Sequence, residues 1–307
     1  MSHVWEEILG QRVAWHTAAR LASTQEVAAA LPRRGERVAV VGCGSSYNVA
    51  CCYASQRESS GEGVTDAFPA SEVSPYRSYD RFVFISRTGT TTEVLEAHAA
   101  VPHGVATTAI TANGSTPLAK AASCSVVLDF ADALSVVSTR FVTSALVLAL
   151  ADFRADTALL VCQAEEALRR PLPQGWRKVR QFVFLAHGWA VGLAQEAALK
   201  LRETAQAWAE AYPAMEYRHG PVSVADAATL VWALGPPPPG MEEDVRSTGA
   251  SFVSSELHPL PELVRAQCLA VKLAEARGLD PDKPRHLARS VILGIGRSPL
   301  DNTGALT

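Results

Sequence analysis

Six cysteines among 307 residues include no CxxC pair, and none clusters with the eight histidines. That spacing excludes a structural zinc site and a disulfide framework, and reads as reduced thiols in a cytoplasm. Long apolar runs are also lacking: Phe141 to Ala151 is the longest charge-free apolar stretch, well short of the roughly 20 residues of a spanning helix. The opening Met1-Ser2-His3-Val4-Trp5-Glu6-Glu7 lacks the basic and apolar regions of a secretory signal. Neither sign of charge dominates, with 28 Lys and Arg against 31 Asp and Glu and a net charge of -3. A nucleic-acid surface normally needs a basic excess, so neither nucleic acid nor membrane is expected as a partner. Apolar residues at 48% and charged residues at 19% suffice for two ordinary cores, and the length predicts two domains or one duplicated unit.

Duplication is the better expectation. Arg37-Val38-Ala39-Val40-Val41-Gly42-Cys43-Gly44 reads as a buried strand entering a glycine turn, and so does Gln181-Phe182-Val183-Phe184-Leu185-Ala186-His187-Gly188. Ala67-Phe68-Pro69-Ala70-Ser71-Glu72 likewise resembles Ala211-Tyr212-Pro213-Ala214-Met215-Glu216, and both pairs stand 144 residues apart. A looser third pairing sets Arg81 to Ile85 against Thr229 to Ala233. Each half alternates strand and helix, which predicts an α/β fold of two duplicated units, each a parallel sheet flanked by helices. Strands are expected at 37–41, 64–68, 81–86, 105–110 and 125–129, then at 181–186, 208–212 and 229–234. Two prolines and a glycine in 169–175 mark the junction. The division is a helical arm over 1–36, a first unit over 37–170 and a second over 171–307.

The loop Ser86-Arg87-Thr88-Gly89-Thr90-Thr91-Thr92-Glu93 follows an apolar strand and opens a helix. Free backbone N–H groups and the helix dipole favour an anion there, and the hydroxyls add donors. Thr90 and Glu93 equally fit a capping box, so the loop alone reads as cap or cradle. Gly42-Cys43-Gly44-Ser45-Ser46 ends another strand of the same half, which places two hydroxyl-rich loops above one sheet edge. Tyr47 stands where GxGxxG needs its last glycine, which weakens a dinucleotide reading. In the second half Leu234 runs into Gly235 and prolines, so one phosphate site per chain is expected.

A helix predicted from Val191 to about Ala209 carries Glu196, Lys200 and Glu203 along one face. Such spacing usually means a solvated salt-bridge ladder. Here the surroundings are rich in alanine and leucine, and the helix starts at the ligand-binding edge of its sheet. An ammonium beside Glu203 favours its ionised, proton-accepting form. His219, in Tyr217-Arg218-His219-Gly220-Pro221, sits in a turn, and imidazole titrates near neutrality, which suits proton transfer.

The two hydroxyl loops together resemble the sugar isomerase (SIS) domain, a phosphosugar-binding fold. Gln195 to Glu203, Ala209 to Pro213 and Glu216 to Pro221 resemble the isomerase half of glucosamine-6-phosphate synthase and its deaminase relatives, as does the tail Ala276 to Leu287. The resemblance spans the chain from about residue 37. It implies that Ser45, Ser46, Ser86, Arg87, Thr88, Thr91 and Ser138 hold a sugar phosphate. It further implies that Glu203 moves the C2 proton, that His219 opens the ring across a homodimer interface, and that Lys200 is the active-site helix lysine. No cofactor or metal is implied.

Two departures bear on the reaction. The glutaminase domain of the synthase has no counterpart here, so a catabolic direction is expected. The family's imine-forming lysine falls on Arg289, and a guanidinium stays protonated and forms no imine. The expected activity is that of a hexosamine 6-phosphate isomerase/deaminase. A dehydratase that expels the 3-hydroxyl of an N-acetylated substrate, and a non-catalytic phosphosugar sensor, are its alternatives.

Overall fold

The computed structural model describes residues 1–74, 77–153 and 155–294. The chain opens with α1 (His3–Ala22), whose Trp5 amide donates to the Ser2 hydroxyl, and α2 (Gln25–Ala30). The first sheet holds β1 (Val38–Gly42), β2 (Thr65–Pro69), β3 (Arg81–Ile85), β4 (Ala106–Thr111) and β5 (Cys124–Val127). Its strands are parallel in the order β2-β1-β3-β4-β5. Between them run α3 (Ser45–Ser59), α4 (Thr92–Ala99) and α5 (Pro117–Ala121), and α6 (Arg140–Asp152) and α7 (Thr157–Arg169) follow.

The second sheet contains β6 (Gln181–Ala186), β7 (Trp208–Pro213), β8 (Thr229–Ala233) and β9 (Ser251–Val253), again parallel, in the order β7-β6-β8-β9. Helix α8 (Val191–Ala205) joins β6 to β7, α9 (Met241–Ser247) joins β8 to β9, and α10 (Pro259–Ala276) follows. In each sheet the first strand lies between the second and third, and the fourth lies beyond the third.

One large apolar core draws on both units, and each sheet adds a smaller core on its other face. The longest apolar stretch of the sequence lies in α6, where Phe141 to Leu150 are all buried. A helix apolar all round belongs inside, and this one is an interior helix of the shared core. Helix α1 closes that core through a buried chain of hydrogen bonds. Trp15 donates to Thr143 (2.9 Å), Thr143 donates to Gln11 (2.7 Å), and Gln11 donates to Gln267 on α10 (2.8 Å). Helices α3 and α8 meet at Gly192. A Cβ there would stand 2.4 Å from the Asn48 carbonyl oxygen and 2.6 Å from Cys52 Sγ, so only glycine permits this approach.

Two expectations need correction. The helix predicted to reach Ala209 ends at Ala205, because Gln206 turns left-handed (φ 51°) and the Gln206 and Ala207 amides bond back to Arg202 and Leu201. The short edge strand β9 was not anticipated; three residues carry too little pattern to separate it from a loop.

Candidate active site

The C-terminal ends of β1 and β3 feed α3 and α4, whose first turns face a common cleft of about 270 Å³. Ser45, Ser46, Ser86, Arg87, Thr88, Thr91, Ser138 and Glu203 all line it, as does Arg289. The N-cap of α4 is Thr91, with no side-chain cap bond, so the capping box considered for Thr90 and Glu93 does not form. Gly89 has φ 59°, and a Cβ there would lie 2.3 Å from Thr116 Oγ1; the loop's tight path depends on it. The Ser138 hydroxyl is buried and has no hydrogen-bond partner among the described residues.

Within this cleft the roles differ from simple donors to an anion. The Arg87 guanidinium is buried and donates to the main-chain carbonyls of Ser135 (2.9 Å) and Val136 (3.2 Å). Burial, and then the nearby charge of Arg289, lower its pKa from the ordinary value. Arg87 thus fastens the 135–138 loop. Glu7 of α1 supports the same loop by accepting from the Ser135 amide (3.0 Å).

Lys200 lies just behind the lining. It is 1% exposed and donates to Ser45 Oγ (2.9 Å) and Glu203 Oε2 (2.5 Å), with Glu196 Oε1 at 3.3 Å. Glu196, equally buried, also accepts from Asn48 of α3 (2.8 Å). The ladder is therefore interior, wedged against the other unit, and not solvated. Burial opposes charge on Lys200, but the two carboxylates outweigh it and raise its pKa. For Glu196, burial raises the pKa; Lys200 lowers it in part, and Glu203 raises it further. The ammonium is thus fixed, and it holds one oxygen of Glu203 while that carboxylate, with 19% side-chain exposure, faces the cleft.

His219 is not brought into this cleft. It is exposed in the second unit, just past the 3₁₀ turn Ala214–Arg218, with its amide bonded to Glu216. The tail, by contrast, folds into the cleft. Ser290 Oγ sits 3.0 to 3.3 Å from the hydroxyls of Thr88, Thr90 and Thr91, and the Thr92 amide donates to Val291. Arg289 donates to Asp132 (2.7 Å). Ser290, Asp132 and Asn48 were missed from sequence because each meets its partner across more than 140 residues, with no local pattern. Among the described residues no group of His, Cys, Asp and Glu is arranged to hold a metal. No helix there is long and apolar enough to cross a membrane.

These features define an α/β protein of two parallel-sheet units with a hydroxyl-lined cleft, and residues 33–152 match the SIS domain family. The particular likenesses lie among phosphosugar enzymes. Over 158 residues, 42% of the chain, it is 34% identical to a glutamine–fructose-6-phosphate aminotransferase (isomerizing) of Nostoc sp.. The Xylella fastidiosa enzyme of that name is 34% identical over 166 residues, 43% of the chain. The chain spans about a quarter of the length of these relatives. The solved glucosamine-6-phosphate deaminase of Thermotoga maritima superposes with a TM-score of 0.80 at 26% identity, covering 95% of this chain and 100% of that one. The C-terminal domain of the Francisella tularensis glucosamine-fructose-6-phosphate aminotransferase shares the fold (TM-score 0.78, 20% identity, 92% and 98% covered). So does the tagatose-6-phosphate ketose/aldose isomerase of Escherichia coli (0.69, 19%, 97% of each).

Proposed function

We propose that the chain is a phosphosugar enzyme, an isomerase/deaminase acting on a hexosamine 6-phosphate in the catabolic direction. The observation that carries this reading is that Glu203, from the second unit, lines the same cleft as the hydroxyl loops of the first. The likeness to a deaminase over nearly the whole chain supports the direction. Phosphate takes hydrogen bonds from Ser46, Ser86, Thr88, Thr91 and Ser138 and the positive end of α4. In the open-chain aldose Glu203 removes the C2 proton, and the electron pair moves into the C1–C2 bond as the aldehyde oxygen gains a proton. Protonation at C1 gives the 2-imino sugar; water adds at C2, ammonia leaves, and a ketose phosphate remains. Lys200 positions Glu203 through their ion pair. His219, exposed and outside its own chain's cleft, serves ring opening in a partner copy of a homodimer.

Arg289 favours a second reading. It lines the cleft where an imine-forming amine would act, but its guanidinium forms no imine and is held by Asp132. On an N-acetylated substrate, loss of the C2 proton with departure of the 3-hydroxyl as water gives an unsaturated sugar phosphate. Incubation with glucosamine 6-phosphate and N-acetylglucosamine 6-phosphate, read by mass spectrometry and a ketose assay, separates the outcomes. Exchange of amine for oxygen, with a ketose formed, means deaminase; rearrangement to the 2-imino sugar at unchanged mass means isomerase without deamination; and loss of one water means dehydratase. Binding without conversion of either compound refutes an enzyme on these substrates and leaves a sensor. Glu203→Gln is expected to abolish turnover and retain substrate binding; full activity in that variant overturns the base assignment.

A further inference from the structure

Away from the cleft, and sharing no lining residue with it, a recess of about 270 Å³ lies between α1, the segment joining the units, and α10. We infer that this recess is a second ligand site, for an organic anion bearing a flat ring, in the chemical class of aryl and nucleoside monophosphates. Two indoles line it, the half-buried Trp5 and the buried Trp176, and each carries a cation on its face. Lys272 Nζ lies 4.9 Å from the Trp5 centroid and the Arg177 guanidinium 4.3 Å from that of Trp176. A ring stacks on indole, and an adjacent cation holds a phosphate attached to that ring.

The charge balance favours an anion. Arg170, Arg177, Arg265 and Lys272 line the recess together with no carboxylate. Arg170, Arg265 and Lys272 pair with Glu166, Glu262 and Glu275, which stand outside the lining, whereas Arg177 has no ion pair among the described residues. Arg265 itself is 7% exposed and already engaged: its terminal nitrogens donate to Glu262 and the Pro171 carbonyl, and its guanidinium lies 5.0 Å from the Trp232 centroid, so Arg177 and Lys272 are the cations open to a ligand. A ligand here would join arm, connecting segment and last helix, so its binding would be linked to the packing of both units.

The test is calorimetric titration of the full chain with adenosine 5′-monophosphate and phenyl phosphate, with inorganic phosphate as competitor. Both Arg177 and Lys272 have accessible side chains, so Arg177→Ala and Lys272→Ala keep the fold, as circular dichroism verifies. The expected result is saturable binding of either probe, unchanged in Thr88→Val and weakened about tenfold or more in the Arg177→Ala, Lys272→Ala double variant. Equal competition by inorganic phosphate overturns the proposal, because the ring is then not recognised. So does loss of binding in Thr88→Val with retention in the double variant, which locates the probe in the cleft, and so does the absence of saturable heat with both probes.

Discussion

Replacement of Lys200 by methionine tests the buried ladder directly. The substitution keeps the length of the side chain and removes its charge, leaving Glu196 at 1% exposure with Asn48 but no cation. Removing one partner of a buried ion pair costs about 3–5 kcal/mol. At roughly 2–4 °C per kcal/mol, Tm falls by about 6–20 °C. The loss depends on pH in a definite sense. Burial already raises the Glu196 carboxyl above the usual carboxylate range, even against the opposing ammonium; without Lys200 the upward shift grows. A group with a raised folded-state pKa contributes its stability below the unfolded value and loses it as pH rises through the folded one. The deficit of Lys200→Met is therefore smaller near about pH 5 than near about pH 8. Adding Glu196→Gln keeps an acceptor for Asn48 and removes the stranded charge, so the double variant regains most of the Tm without regaining turnover. Thermal unfolding by circular dichroism across pH reads all three proteins. A Tm within a degree or so of wild type at every pH, or a double variant no better than the single, refutes the reasoning.

Loss of the Thr88 hydroxyl in Thr88→Val is expected to weaken a 6-phosphate ligand by about 1.5–3 kcal/mol, or roughly 10- to 150-fold, the worth of a hydrogen bond to a charged group. Titration calorimetry measures it, and unchanged affinity moves the phosphate elsewhere. Mixing inactive Glu203→Gln and His219→Ala proteins is expected to restore part of the activity, since a mixed dimer carries one site with both residues intact. No recovery after subunits have demonstrably exchanged counts against the shared site.

Much of this architecture is legible locally. Apolar runs such as 81–85 and 181–186 can only be buried strands, and the glycines and hydroxyls that follow mark ligand-side turns. The Glu196–Lys200–Glu203 face is also visible from helical spacing. What spacing cannot give is its burial, which arises because α8 presses on α3 at Gly192 and places Lys200 against Ser45. The end of α8 was misjudged for a related reason: Gln206 adopts a left-handed conformation that glycine usually marks. The contact of Ser290 with the threonine loop joins residues about 200 apart; no period announces it, and only the family resemblance, through the position of Arg289, implies that the tail reaches the site.

The placement of the three α8 charges has a consequence for how a substrate lies. Two carboxylates share one ammonium, so with all three ionised the cluster keeps one unbalanced negative charge, and Glu203 presents it at one side of the cleft. The threonine loop and the start of α4, where backbone amides concentrate positive potential, form another side. A cleft with poles of opposite sign exerts a torque on an elongated anion. On the proposed function, a sugar's phosphate would be repelled from the acidic pole and drawn to the amide pole, which would turn its reactive carbons toward Glu203. Polarity would then set the direction in which the molecule enters, before any hydroxyl is recognised.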